Sequence, residues 1–359
     1  MRCLNVRNVQ NLNIRNCYMS GIDFGIFTFG YEIEHVKVSY PPSYKRNFES
    51  ASFNNMTFLR SIEIQNMMTS EILNLTFRNV PSLTLLRIDG YNFTLFPNKP
   101  FRELINLSEL ILVSGQLEVL PKDVFYNLHN LTKLDLNYNY IEWIHPLVFR
   151  NLTKLEHLNL GFYDIKDLPA DTLKGLFNLR TFYIHGNHIF SQIPSGFFKK
   201  LPNLTEIYAL FCSISSLEDD VFSDLINLKT VELWYDEIER LPPNLLRNNK
   251  LLTVFSCRGN KISSLPTGIF RDLSELRRLD LEGNRLENLP EDVFKDLSSL
   301  EILDLSRNRL TFLPENIFFP LTNLTRLDLS YNNLTKIIGE RLFGSSKNLT
   351  YVRIDNNGR

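Results

Sequence analysis

One short pattern, recurring along the whole chain, restricts its fold more than any other feature. Leu131, Leu134, Leu136, Asn139 and Ile141 recur as Leu276, Leu279, Leu281, Asn284 and Leu286. The same set returns as Leu300, Leu303, Leu305, Asn308 and Leu310, and again as Leu324, Leu327, Leu329, Asn332 and Leu334. The Asn slot falls at residues 17, 41, 67, 91, 115, 139, 163, 187, 212, 236, 260, 284, 308, 332 and 357, about 24 residues apart on average. Within each unit the Leu-x-Leu segment alternates with period two, so one set of side chains turns inward and the other outward. A unit this short cannot enclose its own apolar face. Stacked units bury it against one another.

The pattern predicts a single α/β-type solenoid over residues 1–359, with about 15 turns and a concave sheet of short parallel strands. Asn carries both an amide donor and a carbonyl acceptor, so it can satisfy backbone groups where the chain leaves the strand. Ten residues after the slot comes Phe, as at Phe101, Phe125, Phe149, Phe222, Phe270, Phe294 and Phe318, which predicts an aromatic spine on the convex side. Pro121, Pro169, Pro242, Pro266, Pro290 and Pro314 stiffen the connection behind the strand and cannot extend a helix. Turns and short 3₁₀ pieces are therefore expected there.

The lattice is uneven. Cys17, Pro41, Met67, Tyr91, Gly115, Tyr163, Cys212 and Asp236 hold slots that elsewhere hold Asn, which predicts weaker local order or a specialised surface. All four cysteines sit on lattice positions and read as buried thiols. Cys212 and Cys257 lie two turns apart, about 10 Å at strand spacing, too far for a disulfide.

Composition excludes several classes. Lys+Arg 39 against Asp+Glu 40 leaves no basic excess to displace counterions, so nucleic acid is not an expected partner. No apolar run approaches the ~18 residues of a membrane span. The first residues lack the apolar run of a signal peptide, no cysteine-rich cap flanks the repeats, and the chain stops within a turn, so it reads as a segment of a longer protein. There is no phosphate loop, H-E-x-x-H or C-x-x-C. His185 and His188 are separated by the bend of the lattice, and Asp219 and Asp220 read as a solvated loop. No catalytic residue, metal site or cofactor is expected.

Ten Asn-x-Ser/Thr sequons stand at Asn55, Asn74, Asn92, Asn106, Asn130, Asn151, Asn203, Asn323, Asn333 and Asn348. None occupies an outward strand position, so glycans there would leave the concave face free; this predicts an extracellular chain.

Outward positions fall one, two, four and six residues before each slot. In the middle turns they carry Tyr138; His157 and Phe162; Tyr183 and His185; Tyr208, Leu210 and Phe211; and Glu232, Trp234 and Tyr235. Ile111 and Val113 are expected outward as well. An aromatic strip of this kind fits a protein-binding surface, where single anchors can cost over ~2 kcal/mol on truncation. It equally fits a contact with another part of a longer parent protein. Arg277, Arg278 and Arg307 read as a solvated flank.

Leu313-Pro-Glu-Asn-Ile-Phe and Leu324-Thr-Arg-Leu-Asp-Leu-Ser-Tyr-Asn-Asn-Leu follow the extracellular "typical" leucine-rich repeat pattern. They resemble the ectodomains of Toll and Toll-like receptors. The resemblance implies a horseshoe that recognises a protein ligand or co-receptor, with a homodimer through a lateral face compatible with it. It also implies a parent that signals through a cytoplasmic TIR domain. A secreted matrix or haemolymph scaffold and an intracellular adaptor are the alternatives. No ligand residue transfers, because binding sites in this family follow no fixed strand motif.

Overall fold

The computed structural model describes residues 9–15, 21–23, 32–40, 50–66, 75–96, 99–161, 165, 168–186, 192–335 and 347–358. The chain divides into two compact units, residues 1–179 and 180–359.

In the first unit, seven strands run parallel: Asn11–Arg15, His35–Ser39, Ser61–Gln65, Leu85–Asp89, Glu109–Val113, Lys133–Asp135 and His157–Asn159. Leu110, Leu134 and Leu158 stand in register, which puts the repeat's leucines in one column. Two smaller parallel sheets lie in the same unit. One joins Gly21–Asp23, Ser50–Ser52 and Leu75–Thr76, and the other joins Val119–Leu120 to Trp143–Ile144.

The second unit holds eight parallel strands: Thr181–His185, Glu206–Leu210, Thr230–Trp234, Val254–Ser256, Arg278–Asp280, Ile302–Asp304, Arg326–Asp328 and Tyr351–Arg353. Its inward column of Val231, Phe255, Leu279, Leu303 and Leu327 is fully buried. Burial of each such side chain is worth about 1.5–3 kcal/mol, so stacking rather than propensity holds the units together.

Among the described residues there is neither α-helix nor 3₁₀ helix. The connections behind the strands are turns, several of them opened by proline: the carbonyls of Pro121, Pro242, Pro266 and Pro290 accept from the amides of Val124, Leu245, Ile269 and Val293. The Phe spine is present. Rings of Phe101 and Phe125 stack at 6.3 Å, Phe125 and Phe149 at 6.1 Å, and Phe294 and Phe318 at 6.2 Å.

Asn does the work its donor and acceptor allow. Nδ2 of Asn284 donates to Cys257 O at 2.9 Å and to Leu281 O at 3.1 Å, while Oδ1 accepts from Ile262 N at 3.0 Å. Asn260, Asn308 and Asn332 repeat the arrangement. Where Asn is missing, neighbours compensate. The Tyr91 ring crosses the next turn and its hydroxyl meets Asn139 Oδ1 at 2.6 Å. A Cβ at Gly115 would overlap that ring, so Tyr91 and Gly115 substitute for two asparagines as a pair. Cys212 donates its thiol to Ile184 O at 3.2 Å, and both Cys212 and Cys257 are buried free thiols. Cys17, Pro41, Met67 and Tyr163 lie outside the described residues.

Candidate functional site

The outward positions of the second unit form rows across neighbouring strands. Tyr183, Tyr208 and Glu232 stand in register, as do His185, Leu210 and Trp234. The Tyr183 and Tyr208 rings stack at 4.5 Å with an interplanar angle of 6°. The Tyr208 hydroxyl meets Glu206 Oε2 at 3.3 Å. Burial, reinforced by the Glu206 carboxylate, pushes the Tyr208 phenol up; burial also raises Glu232, against a partly offsetting Arg278. Burial lowers His185 to about 4, so the ring is neutral at physiological pH.

A third row stands one residue before the slot, where the chain bends out of the strand. This position is left-handed throughout: Gly186, Gly259 and Gly283 have φ of 65°, 71° and 69°. Phe211 and Tyr235 take it at 57° and 55°. A side chain with a Cβ is held there at a cost of roughly 1–2 kcal/mol. Their rings stack at 4.9 Å and 8°, and each residue is 44% exposed. A Cβ at Gly259 would overlap the Tyr235 ring, so the row ends on a glycine. Arg258 Nε donates to the Tyr235 hydroxyl at 3.0 Å.

Beneath these rings the polar groups are incompletely satisfied. Trp234 Nε1 and Asp236 Oδ2 are buried without a hydrogen-bond partner. Asp236 Oδ1 accepts from Cys212 N at 2.7 Å and Ile214 N at 3.2 Å, but a carboxylate has no N–H to offer the carbonyls that Asn260 reaches in the next slot. Burial pushes Asp236 up to about 7.

Ten sequence-expected residues of the strip fall among those described on or next to strands. Tyr183, His185, Tyr208, Leu210, Phe211, Glu232, Trp234 and Tyr235 come together in the second unit; Tyr138, 53% exposed and left-handed, and the exposed His157 belong to the first. Phe162 lies outside the described residues. Ile111 and Val113 depart from expectation: they are 6% and 7% exposed. Their register neighbours Arg87 and Asp135, and Asp89, carry longer or polar side chains that flank them. The arginine flank is paired rather than free: Arg277 to Glu301 at 2.8 Å, Arg278 to Asp280 at 2.9 Å and Arg307 to Glu282 at 3.4 Å. Carboxylate oxygens of Asp280, Glu282 and Asp304 lie within 4.8 Å of one another, and the first two already face these guanidiniums.

The sequons divide by geometry. Nδ2 of Asn106, Asn130, Asn151, Asn323 and Asn348 donates to a carbonyl of the preceding turn, at 2.8–3.3 Å. Asn178 and Asn227 make the same bond without a sequon, so this asparagine serves the lattice. Asn55, Asn106, Asn203, Asn323, Asn333 and Asn348 are exposed, Asn92, Asn130 and Asn151 are half-buried, and Asn74 lies outside the described residues.

Leucine rich repeat family models match residues 105–165, 250–310 and 298–358, and a second one matches 178–200; together they cover more than half of the chain. The chain belongs to the leucine-rich repeat family. No curated protein sequence matches it. Among solved structures, Toll in the glycosylated Drosophila Toll–Spatzle complex aligns over 98% of this chain and 52% of its own, at 21% identity and TM-score 0.78. The repeat chain therefore spans about half the length of Toll. A leucine-rich repeat protein of Leptospira interrogans aligns over 91% and 85%, at 22% identity and TM-score 0.69. TLR13, solved with ssRNA13, aligns over 98% and 63%, at 20% identity and TM-score 0.64. At these identities the likeness is one of fold. No helix among the described residues is long and apolar enough to cross a membrane.

Proposed function

We propose that this leucine-rich repeat chain is a protein-recognition module that binds its partner on the outward strand face of residues 181–235. One observation carries the reading: two stacked aromatic pairs, Tyr183 on Tyr208 and the half-exposed Phe211 on Tyr235, stand on neighbouring strands and at the bends that follow them. Clustered aromatic rings of this kind supply the anchors of protein-binding surfaces. Catalysis, a cofactor and a metal have no part in this reading.

The repeat pattern extends through both units as one series of about 15 turns. Its parent is read as an extracellular Toll-type receptor whose exposed sequons carry glycans. The Toll structure's own partner, Spatzle, favours a protein ligand by analogy of fold. A secreted scaffold is the second reading. It is favoured by the Leptospira protein, most of whose length this chain matches. Full-length transcript sequencing separates the two: a downstream membrane span and TIR domain support the receptor, and a mature secreted product without them supports the scaffold.

The surface itself is tested by replacing Tyr208, Phe211 and Trp234 together with Ala and measuring capture of a partner from the native extracellular fluid. Retention falling by at least about tenfold with the unfolding midpoint little changed is the expected result. Unchanged retention contradicts the reading.

A further inference from the structure

The acids of the outward face are treated unequally. Asp280 is paired with Arg278, and Glu282 with Arg258 and Arg307. Glu206 and Glu232 have no ion pair among the described residues. Glu206 accepts only from the hydroxyls of Thr181, at 3.5 Å, and Tyr208. Arg278, whose charge acts on Glu232, is already committed to Asp280. These two carboxylates flank Tyr208, one on its own strand and one directly across in register, and the stacked Tyr183 ring closes the third side.

A further polar group lies beside them. Ser256, in register with Glu232, is 0% exposed and its Oγ has no hydrogen-bond partner. Two unpaired acids, two ring faces and an unused hydroxyl all suit the same kind of group. Acidic oxygens attract a cation, ring faces attract it through the quadrupole, and a hydroxyl oxygen accepts an N–H.

We propose that the recess bounded by Tyr183, Tyr208, Glu206 and Glu232 receives an arginine or lysine side chain from a basic segment of the protein partner. A guanidinium lies flat on the tyrosine pair and directs its N–H groups to the two carboxylates; an ammonium occupies the same point charge position. The pairing relieves two acids that the fold itself leaves unneutralised. An RNA backbone, being anionic, is disfavoured at this recess. The proposal rests on the binding reading above and specifies the chemistry of its partner.

The test is calorimetric titration of the full chain with a short peptide alternating arginine and glycine, and with the same peptide carrying neutral citrulline. The arginine peptide is expected to bind at least about tenfold tighter than the citrulline peptide. E206Q/E232Q should erase that preference without lowering the unfolding midpoint, while E287Q/E291Q, on exposed acids elsewhere, should leave it intact. Equal binding of the two peptides to the unsubstituted chain overturns the proposal without reliance on any variant. So does a preference that survives E206Q/E232Q or falls equally in E287Q/E291Q, or tighter binding of a single-stranded RNA of similar length. If the unsubstituted chain binds both peptides equally but the triple-Ala effect on partner capture stands, the basic-residue recess fails and the binding face survives. If the triple-Ala effect fails, the face itself is refuted.

Discussion

The turns ending at Asn260, Asn284, Asn308 and Asn332 differ instructively from those ending at Cys212 and Asp236. In the first group every slot satisfies carbonyls on one side and an amide on the other, and Asp304 and Asp328 each hold the serine two residues on at 2.6 Å. In the second group the slot is a thiol or a carboxylate, and the two aromatic rings before the slots, Phe211 and Tyr235, stack on each other at 4.9 Å. Trp234 Nε1 and Asp236 Oδ2 go unpaired there, as Asn249 Oδ1 and Ser256 Oγ do in the turn ending at Asn260. Both groups bury the same leucine columns, so the departures cost local order without dissolving the fold.

The sharpest way to break the comparison is Asn284→Ala. It strands Cys257 O, Leu281 O and Ile262 N, and chemical denaturation should show a loss of about 3–5 kcal/mol. A loss near that of an exposed substitution would mean the regular slots are not what orders this region.

Asp236→Asn should act in the opposite direction. Folded Asp236 titrates near 7 against an ordinary 3.8, so the folded state holds the extra proton between those values. Its contribution is fully present below about pH 4 and is lost as pH rises through 7, on the order of 4 kcal/mol. The facing groups reinforce this: Glu237 raises Asp236 further, and the buried Cys257 thiol is itself pushed up and neutral. Asn supplies the missing N–H. The variant should therefore be more stable than the parent at pH 8 and nearly equal at pH 4. Parallel stability–pH curves would contradict the assignment.

Gly115→Ala drives a methyl into the Tyr91 ring and should lower stability by about 1–3 kcal/mol. If it is tolerated, Tyr91 and Gly115 are not a compensating pair. The smallest effect is expected from Tyr235→Gly, where relief of left-handed strain at φ 55° offsets the lost stacking on Phe211, leaving stability within about 1 kcal/mol. Partner capture should nevertheless fall. A large destabilisation would make Tyr235 a structural anchor.

The parallel strands, the inward leucine columns, the asparagine ladder and the phenylalanine spine were legible because each is a one-dimensional period with a fixed physical role. The aromatic rows were legible for the same reason, since strand register carries Tyr183 to Tyr208 and Leu210 to Trp234. What escaped is what depends on length and reach across turns. Tyr91 fills a slot one turn away, and Ile111 and Val113 are flanked by their neighbours; neither follows from period alone. The unpaired state of Glu206 and Glu232 required knowing where each arginine goes. One signal was present and unused: Gly186, Gly259 and Gly283 before the slot mark that position as left-handed, a conformation that Tyr138, Phe211, Tyr235, Arg307 and Tyr331 also adopt.

The central claim is that the strand face of residues 181–235 meets the partner. Hydrogen–deuterium exchange of the chain, free and with its captured partner, tests it most directly. Protection concentrated in Thr181–His185, Glu206–Leu210 and Thr230–Trp234, extending to the amides of Phe211 and Tyr235, is the predicted result. Protection confined to the proline-opened turns on the opposite side, with these strands unchanged, would contradict it.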